Sequence, residues 1–281
     1  MSTKQERILF LLINYFNDKE VVEFITTQLT RQQNIPYDII VINNGSSNPN
    51  ALTNFNLGNN SIQVITPTEN LGYLNGAKFG FDFYCRANPI PDFTILCNTD
   101  IIFEDELFLE KLIHEQKNKN VEVIGPSIIS TLTHHHQNPM YKERLHIKKI
   151  KQLVFVCSHY PIYVIYQLGA YLKRFTKKLS NNNEKQKSGF VYTVHGSFLI
   201  FTKYFFEKGN TLNFPSFLYA EELFIAEQCL KNNSKIYYNS DLKIVHKEHS
   251  TSGFIKNRKH VKWLKQSLNY IYHNYYSGQH R

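Results

Sequence analysis

Short, uninterrupted apolar runs alternate with longer stretches of helical spacing over residues 7–125. After its first residue, Arg7 to Ile13 is continuously apolar, the pattern of a strand covered on both faces. Asp18 opens a helical pattern to Gln33, with Val21, Val22, Ile25 and Leu29 near the helical period. Asp38 to Ile42 is a second buried strand, cut by the turn signal Asn43-Asn44-Gly45-Ser46. Ile62 to Ile65, Phe93 to Cys97 and Val121 to Ile124 predict further strands, and Leu71 to Cys85 and Glu104 to Lys117 further helices. Strands alternating with helices predict βαβ units and a parallel sheet. Ligands of such sheets lie at the carboxyl ends of the strands, where Asn14, Asn43 and Asn98 to Asp100 fall.

Further along, Phe190 to Val194, Ser197 to Phe201 and Lys235 to Tyr238 predict strands, and Tyr219 to Lys231 and Arg258 to Tyr272 predict helices. Between the two halves, Gln152 to Leu172 carries no formal charge and holds five aromatic residues. A bilayer span needs roughly 20 apolar residues, but Ser158, His159, Pro161 and Gln167 interrupt this one and basic residues flank both ends. The pattern predicts a helix pair at a membrane interface or packed on the protein. Asn181 to Lys187 is polar and predicts a flexible link.

Charge sharpens this picture. The formal net charge is +9, and residues 141–190 alone hold eleven Lys/Arg against Glu143 and Glu184. A second basic group, Lys256, Arg258, Lys259, Lys262 and Lys265, follows the last acid, Glu248. Clustered positive charge beside apolar surface points to an anionic partner, and its placement around an apolar block favours a membrane over nucleic acid. An apolar fraction of 42% excludes a wholly disordered chain, and four scattered cysteines exclude a disulfide scaffold. Reduced thiols and the lack of a leader pattern predict a cytoplasmic location.

Several residues carry candidate chemistry. The strand ending at Cys97 delivers Asn98 and Asp100, two oxygen-bearing side chains, to its carboxyl end, where Mg²⁺ or Mn²⁺ takes a carboxylate together with water and substrate phosphates. The bland reading is a turn. Gly72, Gly76 and Gly80 recur every four residues, so they allow close packing on the sheet or on a nucleotide but do not form a dinucleotide fingerprint. Glu221 and Glu222 follow an aromatic run at a helix start and point about 100° apart, so one can face a cleft while the other is structural. His246 follows an apolar stretch. The triplet His134 to His136 reads as a solvent-facing loop.

In order, these pieces resemble glycosyltransferase family 2 with the GT-A fold, over roughly residues 8–130 and 189–252. Val41-Ile42-Asn43-Asn44-Gly45-Ser46 is similar to the family's second-strand motif, Asn70-Leu71-Gly72-Tyr73 to its Asn-x-Gly-Phe, Asn98-Thr99-Asp100 to its Asp-x-Asp, Tyr219-Ala220-Glu221-Glu222 to its Tyr-x-Glu-Asp, and Ile244-Val245-His246 to its closing His. The resemblance implies a mostly parallel mixed α/β sheet flanked by helices, with a transferase domain over 1–252, a basic aromatic helical insert at 134–188 and a basic tail at 253–281. It also implies nucleotide-sugar binding by Asn14, Asn43, Asn44, Asn70, Gly72, Lys78 and Asn98. Asp100 and His246 become ligands of Mn²⁺ or Mg²⁺, and Glu222, with Glu221 second, the general base.

Asn43 and Asn98 stand where the family usually has carboxylates; the Asn43 carbonyl can accept from the base, as the family's Asp does, and its amide can also donate. An ordinary Glu is ionised at neutral pH, so Glu222 is expected in its base form. The closest branch is that of bacterial surface polysaccharides, rhamnosyltransferase-like. The implied reaction is inverting transfer to a glycan or lipid-linked acceptor, on the cytoplasmic face of the inner membrane and without nucleic acid. The competing readings are a nucleotidyltransferase and an inactive transferase-like fold that binds nucleic acid or membrane.

Overall fold

The computed structural model describes residues 6–52, 61–116, 120–178, 186–248 and 256–277. In chain order its strands are β1 (Ile8–Asn14), β2 (Asp38–Asn43), β3 (Ser61–Ile65), β4 (Phe93–Cys97), β5 (Ile101–Phe103), β6 (Val123–Ser130), β7 (Gly189–Val191), β8 (Phe198–Thr202) and β9 (Ile236–His246). Its helices are α1 (Asp18–Phe24), α2 (Leu74–Cys85), α3 (Phe108–Gln116), α4 (Ile147–Ser158), α5 (Tyr160–Lys178), α6 (Lys203–Glu207), α7 (Glu221–Lys231) and α8 (Arg258–Ile271).

The strands form one mixed sheet in the order β3-β2-β1-β4-β8-β6-β9-β5, with β7 also on β9. From β3 to β4 all pairings are parallel; β8 then runs antiparallel to β4 and to β6. Two-residue alternation divides the core between the faces. Leu9, Leu11, Ile40 and Ile42 join the cluster under α2, α4, α7 and α8, while Ile8, Phe10, Leu12, Ile39 and Val41 join the one under α1 and α3. Both faces are covered, which is why β1, β2 and β4 read as unbroken apolar runs.

Several boundaries differ from the sequence expectation for physical reasons. The first helix does not reach Gln33: Thr26, Thr27 and Thr30 hydroxyls bond back to carbonyls one turn earlier, and the helix ends in a π turn at Ile25–Leu29. Leu71 to Tyr73 lie in a turn ahead of α2, and α3 begins only at Phe108. The short strand expected at Lys235 to Tyr238 is the start of eleven-residue β9, disguised because its register against β6 shifts at Asn239-Ser240-Asp241. β6 itself runs on to Ser130, whereas β7 stops at Val191. β5, only three residues long, had no expectation at all. Part of the expected flexible link, residues 181–185, lies outside the described residues.

The charge-poor block is a helix pair, α4 and α5, bent by 120° at His159. Among the described residues no single helix is long and apolar enough to cross a membrane. Ile150, Val156, Cys157 and Tyr163 belong to the main core, and α4 packs on α8. Arg144, just ahead of α4, makes a two-pronged ion pair at 2.9 and 2.7 Å with Glu227 of α7 and donates to the Tyr275 carbonyl. All four cysteines are free thiols, with Cys97, Cys157 and Cys229 buried.

Candidate active site

At the carboxyl end of the parallel strands lies a lattice of amides. Asn14, fully buried, donates from Nδ2 to Asp18 Oδ1 at 2.7 Å, to Asn43 Oδ1 at 3.1 Å and to the Gly45 carbonyl at 3.1 Å. Asp18 and the carbonyl only accept, which fixes the Asn14 amide and turns the Asn43 oxygen toward it. The free donor of Asn43 then faces Thr66 Oγ1 at 3.5 Å. The Asn43 carbonyl is thus engaged by Asn14 and its amide by Thr66, with one lone pair of the oxygen left over. Burial opposes the Asp18 charge, yet bonds from Ser46, Ser47, Asn48 and Asn14 hold its carboxyl down at about 2.

Asn44 spends both ends of its side chain on the next loop, donating to the Gly72 carbonyl at 2.8 Å and accepting from Leu71 N at 3.2 Å. Asn70 closes that loop by accepting from Gly72 N at 2.8 Å. Gly72 has φ +78, and a Cβ there would meet the Phe217 carbonyl oxygen at 2.0 Å. Gly76 and Gly80 pack on Ile13 and Ile42 of the sheet, which decides between the two readings of the glycine series. Lys78 is ion-paired with Asp82 one turn along α2. Asn98 is half-buried, and its backbone N–H donates to the Ser197 carbonyl at 2.9 Å.

The unexpected β5 brings the two metal candidates together. It runs antiparallel to the end of β9 with Ile101 opposite His246, so Asp100 and His246 become neighbours. Asp100 Oδ1 lies 3.2 Å from His246 Nε2, and both residues are buried. Gln137 settles the imidazole's tautomer. Its amide Nε2 donates to the Glu248 carboxylate, which only accepts, so its Oε1 faces His246 Nδ1 at 2.9 Å and requires a proton there. In a neutral imidazole Nε2 is then a lone pair aimed at a carboxylate oxygen. A proton or a cation between them resolves that clash, so the donor pair fits a divalent ion. Among the described residues no three His, Cys, Asp or Glu side chains converge; Mg²⁺ and Mn²⁺ take water and substrate oxygens beside one or two carboxylates. His134 is exposed and His135 and His136 are half-buried on the loop that delivers Gln137.

The acidic pair sits across a short stretch of β8's approach. Tyr219 and Ala220 both hold left-handed backbone, φ 74 and 62, at a cost of about 1–3 kcal/mol each. This kink lets Glu221 Oε1 fold back onto Tyr219 N at 2.8 Å while Glu222 lies over Gly196, where a Cβ would come within 2.6 Å of its Oε1. The two carboxylates thus take different surroundings, Glu221 the Tyr219 turn and Glu222 the Gly196 backbone. Their ionisation does not follow expectation. Burial, and then the neighbouring Glu222, raise Glu221 to about 8; burial also raises Glu222, against a bond from the Gly196 N–H and the charge of Lys256. Both carboxyls are therefore pushed above the ordinary carboxylate range, and they titrate as a pair rather than as two ordinary ionised side chains.

Tyr73 and His195 join the two centres. Tyr73 donates from its hydroxyl to the Gly196 carbonyl at 3.1 Å; burial first, then Cys97, Glu221, Glu222 and Asp100, push its own ionisation well up. One hydroxyl therefore feels every candidate carboxylate. His195, next to Gly196, packs 5.8 Å from the His246 ring and is pushed down to about 4 by burial and by His246, with Asp100 opposing. Sequence reasoning passed over His195, and named Tyr73 only within a motif and Lys256 only within a basic group. That lysine comes from the basic tail and lies 3.9 Å over the Tyr219 ring. It also passed over Tyr15 and Phe16, an exposed edge-to-face pair at the end of β1. Aromatic side chains exposed beside a strand end were the available signal.

A mixed sheet with a parallel half, flanked by helices on both faces, is the architecture of the GT-A fold. A family model described as Glycosyl transferase family 2 matches residues 11–205, and the chain belongs to that family. No curated protein matches the sequence significantly. Among solved structures, the fold is similar to a mannosyltransferase, PcManGT from Pyrobaculum calidifontis, in complex with GDP-Man and Mn²⁺, at 12% identity and a TM-score of 0.54. That match covers 90% of this chain and 59% of the other. It is also similar to S. aureus TarS, at 12% identity and a TM-score of 0.51, over 97% of this chain and 44% of that one. The chain thus spans about half the length of these neighbours, which share its fold. Family membership sets aside the nucleotidyltransferase reading.

Proposed function

We propose that the protein transfers a sugar, with inversion, from a nucleoside-diphosphate donor to a hydroxyl of a glycan or lipid-linked acceptor in surface-polysaccharide synthesis. The observation that carries this reading is the placement of two unlike acidic centres on either side of Tyr73 and Gly196. Tyr15 and Phe16 offer a stacking platform for the base, and the Asn43 amide a donor to it. Asp100 and His246 would hold Mn²⁺ or Mg²⁺, and the complex of the similar mannosyltransferase with GDP-Man and Mn²⁺ supports that choice. When bound, such an ion supplies positive charge to the leaving diphosphate.

Glu222 accepts the proton of the attacking hydroxyl, its ionised form favoured by the Gly196 N–H and by Lys256. Attack from the Glu222 side, opposite the diphosphate, inverts the anomeric carbon. Glu221 holds the Tyr219 turn. The enzyme works as a peripheral protein on the cytoplasmic face of the membrane, in the rhamnosyltransferase-like branch of the family.

The test is nucleoside-diphosphate release from a panel of nucleotide sugars with Mn²⁺, supplied with glycan and lipid-extract acceptors, beside Asp100→Ala. One donor should be turned over, and the variant should lose about 10³-fold, the equivalent of several kcal/mol of charge stabilisation. Silence across the panel contradicts the reading and leaves an inactive fold; full activity of the variant contradicts the role given to Asp100.

A further inference from the structure

The bent pair α4–α5 carries an inverted surface. On α5 the outward positions Ile162, Ile165 and Leu168 are apolar, with Ile165 69% exposed. Spaced by three residues, they form a strip about 9 Å long on one side of the helix. Its inner side, including Tyr163, faces the core. Phe155, at the end of α4, adds an exposed ring beside the bend. A soluble helix puts polar residues outward, yet no charge occurs from Gln152 to Leu172.

Charge surrounds this strip. Lys148 and Lys151 are exposed on α4 ahead of Phe155. Arg258 of α8 lies 5.3 Å over the ring of Tyr160, the first residue of α5, and Lys265 acts electrostatically on Cys157. No acid lies between Glu143 and Glu184, or beyond Glu248. Apolar residues at the apex with cations behind them complement a leaflet of anionic lipid, whose acyl boundary takes the former and whose headgroups take the latter.

We propose that the α4–α5 bend inserts into one leaflet of an anionic membrane and holds the Glu222 side of the cleft against it. The link to the cleft is short: the Tyr160 hydroxyl donates to the Lys256 carbonyl at 3.3 Å, and Lys256 covers Tyr219, whose N–H caps Glu221. Insertion stands on the surface alone. That it serves acceptor capture rests on the transferase reading.

Flotation with phosphatidylcholine vesicles, with or without about a third phosphatidylglycerol, tests insertion. The protein should float with the anionic vesicles at physiological salt and bind neutral ones at least tenfold more weakly. The pair Ile165→Asp with Leu168→Asp should reduce binding at least tenfold with an unchanged melting temperature, since both positions are exposed. Lys148→Glu with Lys151→Glu should do the same by removing charge. Trp263, the single tryptophan, stacks 5.1 Å from His260 and 4.6 Å from Phe217 beside the cleft. Its energy transfer to dansyl-labelled headgroups should rise on binding.

No flotation, undiminished flotation of the Asp pair, or a dimer abolished by that pair overturns the proposal, the last by showing that a second copy covers the strip. Absent energy transfer overturns the orientation. Donor turnover without vesicles should match wild type in the Asp pair. Failure of the wild-type protein to float with turnover intact therefore defeats only the anchor, and flotation without turnover defeats only the transferase reading.

Discussion

The two halves of the sheet use polar side chains in opposite ways. In the parallel half, Asn14, Asn43, Asn44 and Asn70 bond to one another or to the backbone, and the buried charge of Asp18 is held low by several donors. In the mixed half, His246 Nε2 lies 3.2 Å from the Asp100 carboxylate, two acidic side chains share a buried corner, and the turn leading to them is left-handed. A satisfied amide lattice costs little to bury and fixes a loop. Buried, crowded charge raises the energy of the resting protein and is relieved by a proton, a cation or a substrate. The first half is built to position and the second to react.

That contrast can be broken most severely at Gly72. Gly72→Ala forces a left-handed alanine into the Phe217 carbonyl, and we expect more than about 3 kcal/mol of destabilisation, read by urea denaturation. Near-native stability would mean the loop moves freely and positions nothing. Asn44→Ala leaves the Leu71 N–H and Gly72 carbonyl unpaired and should cost about 1–3 kcal/mol, a fall of several degrees in thermal unfolding. Any loss of turnover should follow from the loosened loop.

On the other side, Lys256→Met removes a cation that favours ionised Glu222. The acid limb of the rate profile should then move up by roughly one pH unit with stability nearly unchanged. The sign follows from the role: the base works ionised, its ionisation is raised, and so activity falls as pH drops through a value above the ordinary carboxylate range. An acid limb at the ordinary carboxylate value would contradict the burial seen here. Tyr73→Phe removes one hydrogen bond to Gly196 and should cost about 1 kcal/mol.

The parallel half was legible from sequence because burial on both faces writes itself as apolar runs, and turn residues mark where they end. Asn14, Asn43 and Asp100 could be placed at strand ends on that basis alone. The mixed half was not, because its signals are non-local. β5 is too short to show a period, β9 is interrupted by its own register shift, and Gln137 reaches His246 across 109 positions of sequence. Lys256 and Glu222 meet only because α8 packs back on α7. The raised ionisation of the Glu pair is likewise a property of burial, which residue identity does not carry.

The division between Glu221 and Glu222 is tested most directly by single-turnover transfer with Glu222→Gln and Glu221→Gln under the same donor and Mn²⁺. Loss of a general base costs typically 10²–10⁴-fold. Glu222→Gln should lose at least 10²-fold in rate with donor affinity kept, while Glu221→Gln should stay within tenfold of wild type. The reverse ranking, or equal modest losses, would contradict the assignment of the reacting carboxylate.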